Sequence, residues 1–93
     1  MTLNDIEKKV VKSFDQMLMT HKQEDIDREI LEVLVNCIKN NIKVILSEYD
    51  IIRIAIMYYS IFHQYNLTFL KQIIKYSNNK IDMYKVLNKL DTL

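Results

Sequence analysis

Leu3, Ile6, Val10, Phe14, Met17 and Leu18 recur at intervals of three and four, with Glu7, Lys8, Lys12 and Asp15 outside that stripe. Apolar side chains at this spacing share one face of a helix. Thr2 stands ahead of them, where its hydroxyl can accept from the amide three residues on, and Asp5 holds the reciprocal position of a capping box. The polar run Thr20 to Glu24 ends this first predicted helix. A second opens on Glu24, Asp25, Asp27 and Glu29, where the helix dipole favours negative charge. Its stripe is Ile26, Ile30, Val33, Leu34, Cys37 and Ile38. Asn40-Asn41 is the expected stop, since asparagine tolerates the left-handed conformation of a helix cap. Ile42 to Leu46 reads two ways, as a continuation of that helix or as a short extended link.

The second half of the chain is greasier. Ser47-Glu48-Tyr49-Asp50 forms another capping pattern, and behind it Ile51, Ile52, Ile54, Ala55, Ile56, Met57, Tyr58, Tyr59, Ile61 and Phe62 leave almost no polar face. A helix apolar all round is a buried one, so this third helix is expected at the centre, or partly covered by a second protomer. Asn66 or Thr68 caps a fourth helix that runs to about Tyr76, with Phe69, Leu70, Ile73 and Ile74 inward and Lys71 and Lys75 outward. Ser77-Asn78-Asn79 breaks it. A short fifth helix sets Ile81, Met83, Tyr84, Val86, Leu87 and Leu90 against Asp82, Lys85, Asn88 and Lys89. The pattern predicts one all-α domain over residues 1–93, an antiparallel four-helix bundle with a short fifth C-terminal helix.

Composition sharpens this picture. The 93 residues include no glycine and no proline, which removes phosphate-cradling loops, nucleophile elbows and Asn-Gly hairpin turns. Every helix stop therefore falls to Asn, Ser, Thr or His. Cys37 is the single cysteine, so no intramolecular disulfide forms and a reducing, cytoplasmic setting is expected. Acidic and basic positions interrupt the apolar residues between Met1 and Met19, so no secretory signal is expected there. The most apolar stretch, Ile51 to Phe62, contains Arg53 and falls short of the roughly 20 residues that span a bilayer. The formal net charge is +1. The first 50 residues carry an acidic excess, whereas the remainder has six bases against Asp82 and Asp91. That asymmetry reads either as a solvated lysine face or as an interaction surface.

No catalytic constellation emerges. His21, His63 and Cys37 fall on different predicted elements, and the Cys-x-x-Cys, His-Glu-x-x-His and Glu-x-x-His spacings of metal sites do not occur. The chain is expected to be no enzyme, with no metal and no cofactor. Cys37 sits on an apolar stripe and His63 at a helix end, which are structural places. The cluster Glu24, Asp25, Asp27, Glu29 and Glu32 reads as dipole electrostatics and a solvated face, or as a dock for a basic partner. All six tyrosines lie between Tyr49 and Tyr84. A domain this small cannot bury them all with their hydroxyls satisfied, and surface tyrosine is a favoured interface residue. Tyr58, Tyr59 and Tyr65 are the candidate partner anchors, with Lys71 and Lys75 at their rim. A protein partner is expected. Nucleic acid is the weaker alternative: residues 68–90 have a helix-turn-helix outline with Lys80, Lys85 and Lys89 for phosphates, yet lack the arginine that dominates base reading.

An amphipathic first helix, an acidic start to a second helix containing Ile30-Leu31-Glu32-Val33-Leu34, and a Tyr-rich third helix linked by Tyr65-Asn66-Leu67-Thr68 to a fourth resemble the pediocin-like bacteriocin immunity proteins. The resemblance covers about residues 6–77. It implies a cytosolic antiparallel four-helix bundle that protects a producer cell by associating with the bacteriocin-occupied membrane receptor, with specificity in the C-terminal part. The fifth helix departs from the irregular tail usual in that family. A phage- or virus-encoded inhibitor of a host protein shares the same interaction logic with a different partner.

Overall fold

The computed structural model of the chain describes residues 1–17, 20, 22–77 and 81–92. Five helices follow one another: α1 (Leu3–Gln16), α2 (Gln23–Lys39), α3 (Glu48–Phe62), α4 (Leu67–Tyr76) and α5 (Met83–Asp91). No strand occurs among the described residues. The protein is all-α.

Two of the helices start in closed capping boxes. Thr2 Oγ1 accepts from the Asp5 amide at 3.2 Å while the Asp5 carboxylate accepts from the Thr2 amide at 2.8 Å. Ser47 and Asp50 repeat the exchange at 3.2 and 2.9 Å. Of the two candidates for the α4 cap, Asn66 holds the position, its Oδ1 accepting from the Phe69 amide at 3.0 Å. Asp82 was expected on the outer face of α5; it instead caps that helix, accepting from the Tyr84 amide at 2.9 Å. Lys22 precedes α2 with no side-chain cap, leaving Glu24 and Asp25 to meet the helix dipole.

The helix stops solve the absence of glycine locally. Asn41 takes φ 55°; its amide donates to Ile38 O at 3.3 Å and the Ile42 amide to Cys37 O at 2.8 Å. Together these bonds make a complete Schellman motif with asparagine at the left-handed position. His63 ends α3 in the simpler left-handed cap, with φ 57° and its amide donating to Tyr59 O at 2.7 Å. The expected Asn78-Asn79 stop lies outside the described residues, as do Leu18, His21 and Lys80. Beyond Asn41 the ambiguous segment is an extended link. Val44 and Leu46 are buried and Ile45 between them is exposed, the alternation of an extended chain. The Ile45 amide donates to Met1 O at 2.8 Å, and Thr2 and Ile45 form a single parallel bridge.

One apolar cluster draws on all five helices, with Leu34, Ile51, Ile54, Ile73 and Val86 fully buried. α3 is the hub: α2, α4 and α5 all pack against it, whereas α1 packs on α2. α2 is thus covered on two sides, which explains why its buried set includes Leu31 as well as the expected Ile26, Ile30, Leu34 and Cys37. Glu7 and Arg53 form an ion pair that ties α1 to α3 directly, and Lys89 pairs with Glu48 at 2.9 Å to tie α5 to it.

Three expectations of burial need correction. Met17 and Tyr84, assigned to inward stripes, are exposed; each sits at or beside a helix end, where no neighbouring helix reaches over it. Asp27, assigned to a solvated acidic face, is only 6 % exposed, and Gln23 Nε2 donates to its carboxylate at 3.0 Å. Above all, α3 is not covered all round. Ile56, Tyr59 and Phe62 remain more than 40 % exposed, because the three helices around α3 leave one side of its C-terminal half open.

Candidate functional site

Tyr58 and Phe62 of α3 form the floor of a furrow, beside the exposed Ile56 and Tyr59, which line neither of its hollows. α2 forms one wall and α4 the other. They flank α3 without closing over it, since both helices pack on α3. At the upper end a hollow of about 760 Å³ is lined by Arg28, Leu31 and Val35 of α2, Tyr58 and Phe62 of α3, and Phe69 of α4. Below it a second hollow of about 560 Å³ is lined by Val35, Lys39, Phe69, Gln72, Lys75 and Tyr76. Val35, Lys39 and Phe69 border both, so the two form one channel. On α2 it runs from Arg28 to Lys39, about 16 Å at the helical rise per residue.

Each wall is a helical stripe. Arg28, Leu31, Val35 and Lys39 succeed one another at spacings of three and four, as Phe69, Gln72 and Tyr76 do. The floor is aromatic. Tyr58 meets Phe62 at 4.6 Å and Phe69 at 5.5 Å between ring centroids, and Asn66 Nδ2 donates to the Tyr58 hydroxyl at 3.1 Å. Asn66 therefore has two tasks, capping α4 with its oxygen and fixing the floor tyrosine with its nitrogen. The Arg28 guanidinium lies 5.7 Å from the centre of the Phe62 ring, a cation–π distance, and also pairs with Glu24 at 2.9 Å. At the opposite end Lys39 and Lys75 face the channel from the two walls. Neither has an ion-pair partner among the described residues. The Tyr76 hydroxyl there is buried and has no hydrogen-bond partner among the described residues.

The five residues singled out from the sequence divide. Tyr58 and Lys75 line the furrow. Tyr59 and Tyr65 form their own exposed pair, with ring centroids 4.8 Å apart. Lys71 is exposed and lines neither hollow. Sequence reasoning missed Phe62, Phe69, Val35 and Lys39 as site residues. Phe62 and Phe69 look like core residues in a helical pattern, and only the splaying of α2 and α4 exposes them to a common space. The available signal was α3 itself, whose apolar circumference exceeds what three neighbours cover.

Chemically, the furrow offers an apolar and aromatic surface with cations at its rim. Among the described residues no three His, Cys, Asp or Glu side chains converge as a metal group would require. Cys37 is buried in the core. In the other candidate surface, residues 68–90, α5 packs on α3, Val86 and Leu90 are buried and Lys89 is engaged by Glu48, while residues 78–80 between α4 and α5 lie outside the described residues. No helix of the described residues is long and apolar enough to cross a membrane. No protein-family model matches the chain, and no curated protein or solved structure does.

Proposed function

We propose that this chain acts without catalysis, by binding another protein in the furrow between α2 and α4. The observation that carries the reading is the uncovered aromatic floor. Tyr58 contacts both Phe62 and Phe69; Tyr58 and Phe69 are half-buried on the core, and Phe62 is 48 % exposed. Ordered aromatic side chains in a concavity are typical anchors of protein interfaces. The frame assumed is an antiparallel bundle of α1 to α4, with α5 as a short fifth helix on α3. The Tyr59–Tyr65 pair, with Lys71 beyond it, would extend the contact on the adjacent surface. The setting assumed is the cytoplasm. Immunity to a bacteriocin is the most specific form of this reading, and the helix layout alone supports it.

The experiment compares the wild-type chain with Val35→Arg, which puts a charged side chain where the two hollows join, and with Lys12→Glu on α1. In extracts of the native cell, a partner retained by wild type and Lys12→Glu but lost by Val35→Arg supports the furrow. A partner retained by all three places the interface elsewhere. Expression in bacteriocin-sensitive cells tests the immunity form: protection against at least one bacteriocin supports it, and unchanged killing by a panel rejects it. Duplex DNA binding at low salt that is lost in Lys85→Glu/Lys89→Glu would replace the protein-binding reading with the regulator.

A further inference from the structure

The geometry points to the partner's chemistry: the furrow takes an amphipathic helix of about three turns from another protein, with acidic residues flanking its apolar stripe. This inference rests on the binding reading above and adds the class of ligand. Length and shape come first. A channel about 16 Å long matches roughly eleven residues of helix, and its walls are themselves helical stripes, so an inserted helix would present anchors at i, i+3 or i+4, and i+7 to Leu31, Phe62 and Phe69. An extended peptide would leave its backbone donors and acceptors unpaired, because helical walls offer no free strand edge.

Charge selects the flanks. Around the furrow stand Arg28, Lys39 and Lys75 against Glu32 alone, while Arg28 is already paired with Glu24. That leaves Lys39 and Lys75 as uncompensated charges facing each other across one end. Both lie in the last turns of their helices, where the dipole supplies only about half a negative charge each. A positive excess therefore remains for an acidic side chain. A second copy of this chain fits poorly. The apolar stripe of each of its five helices is already committed to its own core.

The test is selection of random peptides displayed on phage against the full chain, followed by affinity measurement of the recovered peptides. Enriched peptides are expected to combine apolar residues at i, i+3 or i+4, and i+7 with Asp or Glu at one end. Binding should fall at least about tenfold for Lys39→Glu/Lys75→Glu, and selection against that variant should recover Lys or Arg at the same place. Lys12→Glu, on α1 away from the furrow, should change little. Far-UV circular dichroism shows whether each variant is folded. Peptides blocked by Val35→Arg but indifferent to the Lys39/Lys75 reversal would overturn the acidic-helix inference and leave the furrow reading standing. Peptides that bind Val35→Arg as well as wild type would overturn both, as would recovery of none. Duplex DNA competing with the peptides for the same lysines would assign the rim to phosphate instead.

Discussion

Two side chains hold backbone that glycine usually supplies, and they do so at different expense. Asn41 and His63 both sit near φ 56° as helix-ending residues. Asparagine tolerates this region, whereas for most residues it costs roughly 1–2 kcal/mol. Glycine escapes that penalty but loses about 0.5–1 kcal/mol in chain entropy. His63→Gly should therefore stabilise the fold by roughly 0.5 kcal/mol, and Asn41→Gly by less, both read from urea midpoints. A lower midpoint for His63→Gly would mean that the imidazole itself holds the α3–α4 link. At the other end of the chain, the Thr2 amide and then the Thr2 hydroxyl hold Asp5 below the usual carboxylate value of 3.8. The sign follows directly: a carboxylate more acidic in the folded state stabilises α1 above its ordinary range, and that contribution is lost as pH falls through the lowered value. Acidification should loosen the first turn of α1, seen as a lower protection factor of the Ile6 amide (intrinsic over observed exchange rate at each pH), and Asp5→Asn should abolish that fall. A protection factor that still falls on acidification in Asp5→Asn would point to another group.

At the level of elements, α3 separates what a pattern can tell from what packing decides. Ile54 is fully buried and Ile56, two positions on, is 42 % exposed, though both are isoleucines in the same apolar run. Ile54→Ala should cost about 2–5 kcal/mol and Ile56→Ala under about 1 kcal/mol, by chemical denaturation. Similar costs at both sites would mean that something covers Ile56. The existence of all five helices could be read from the sequence, because Thr2, Ser47 and Asn66 mark their starts and the three- to four-residue spacing marks their faces. The furrow could not. Whether Phe62 and Phe69 belong to a core or to a surface depends on how far α2 and α4 stand apart, a relation between segments about forty residues distant that no local periodicity encodes. Asp27 escaped for the same reason: its helix face was legible as acidic, but not the tertiary packing that leaves it 6 % exposed. The Glu7–Arg53 pair likewise joins α1 to α3 across 46 positions. A double-mutant cycle on it should give a coupling of about 1 kcal/mol, the upper part of the range for exposed pairs, since both side chains are partly shielded. A coupling near zero would make it a surface contact only.

For the molecule as a whole, the account makes α3 both the keystone and the floor of the site. Its N-terminal half closes the core through Ile51, Ile52 and Ile54, and its C-terminal half supplies Tyr58 and Phe62 to a furrow that α2 and α4 leave open. On this account the free chain sediments as a monomer at micromolar concentration, because the apolar stripes of a second copy are already buried in its own core; a dimer that Val35→Arg dissolves would show that the chain covers its own site. The central claim, that the furrow is the binding surface, is tested most directly by mapping amide shifts while an acid-flanked amphipathic peptide is titrated into the labelled protein. The predicted result is a contiguous set of shifted residues on Leu31, Val35, Lys39, Tyr58, Phe62, Phe69 and Tyr76, with α1 and α5 unmoved. Shifts that gather instead on Lys8, Lys9 and Lys12, or on Lys85 and Lys89, would contradict it.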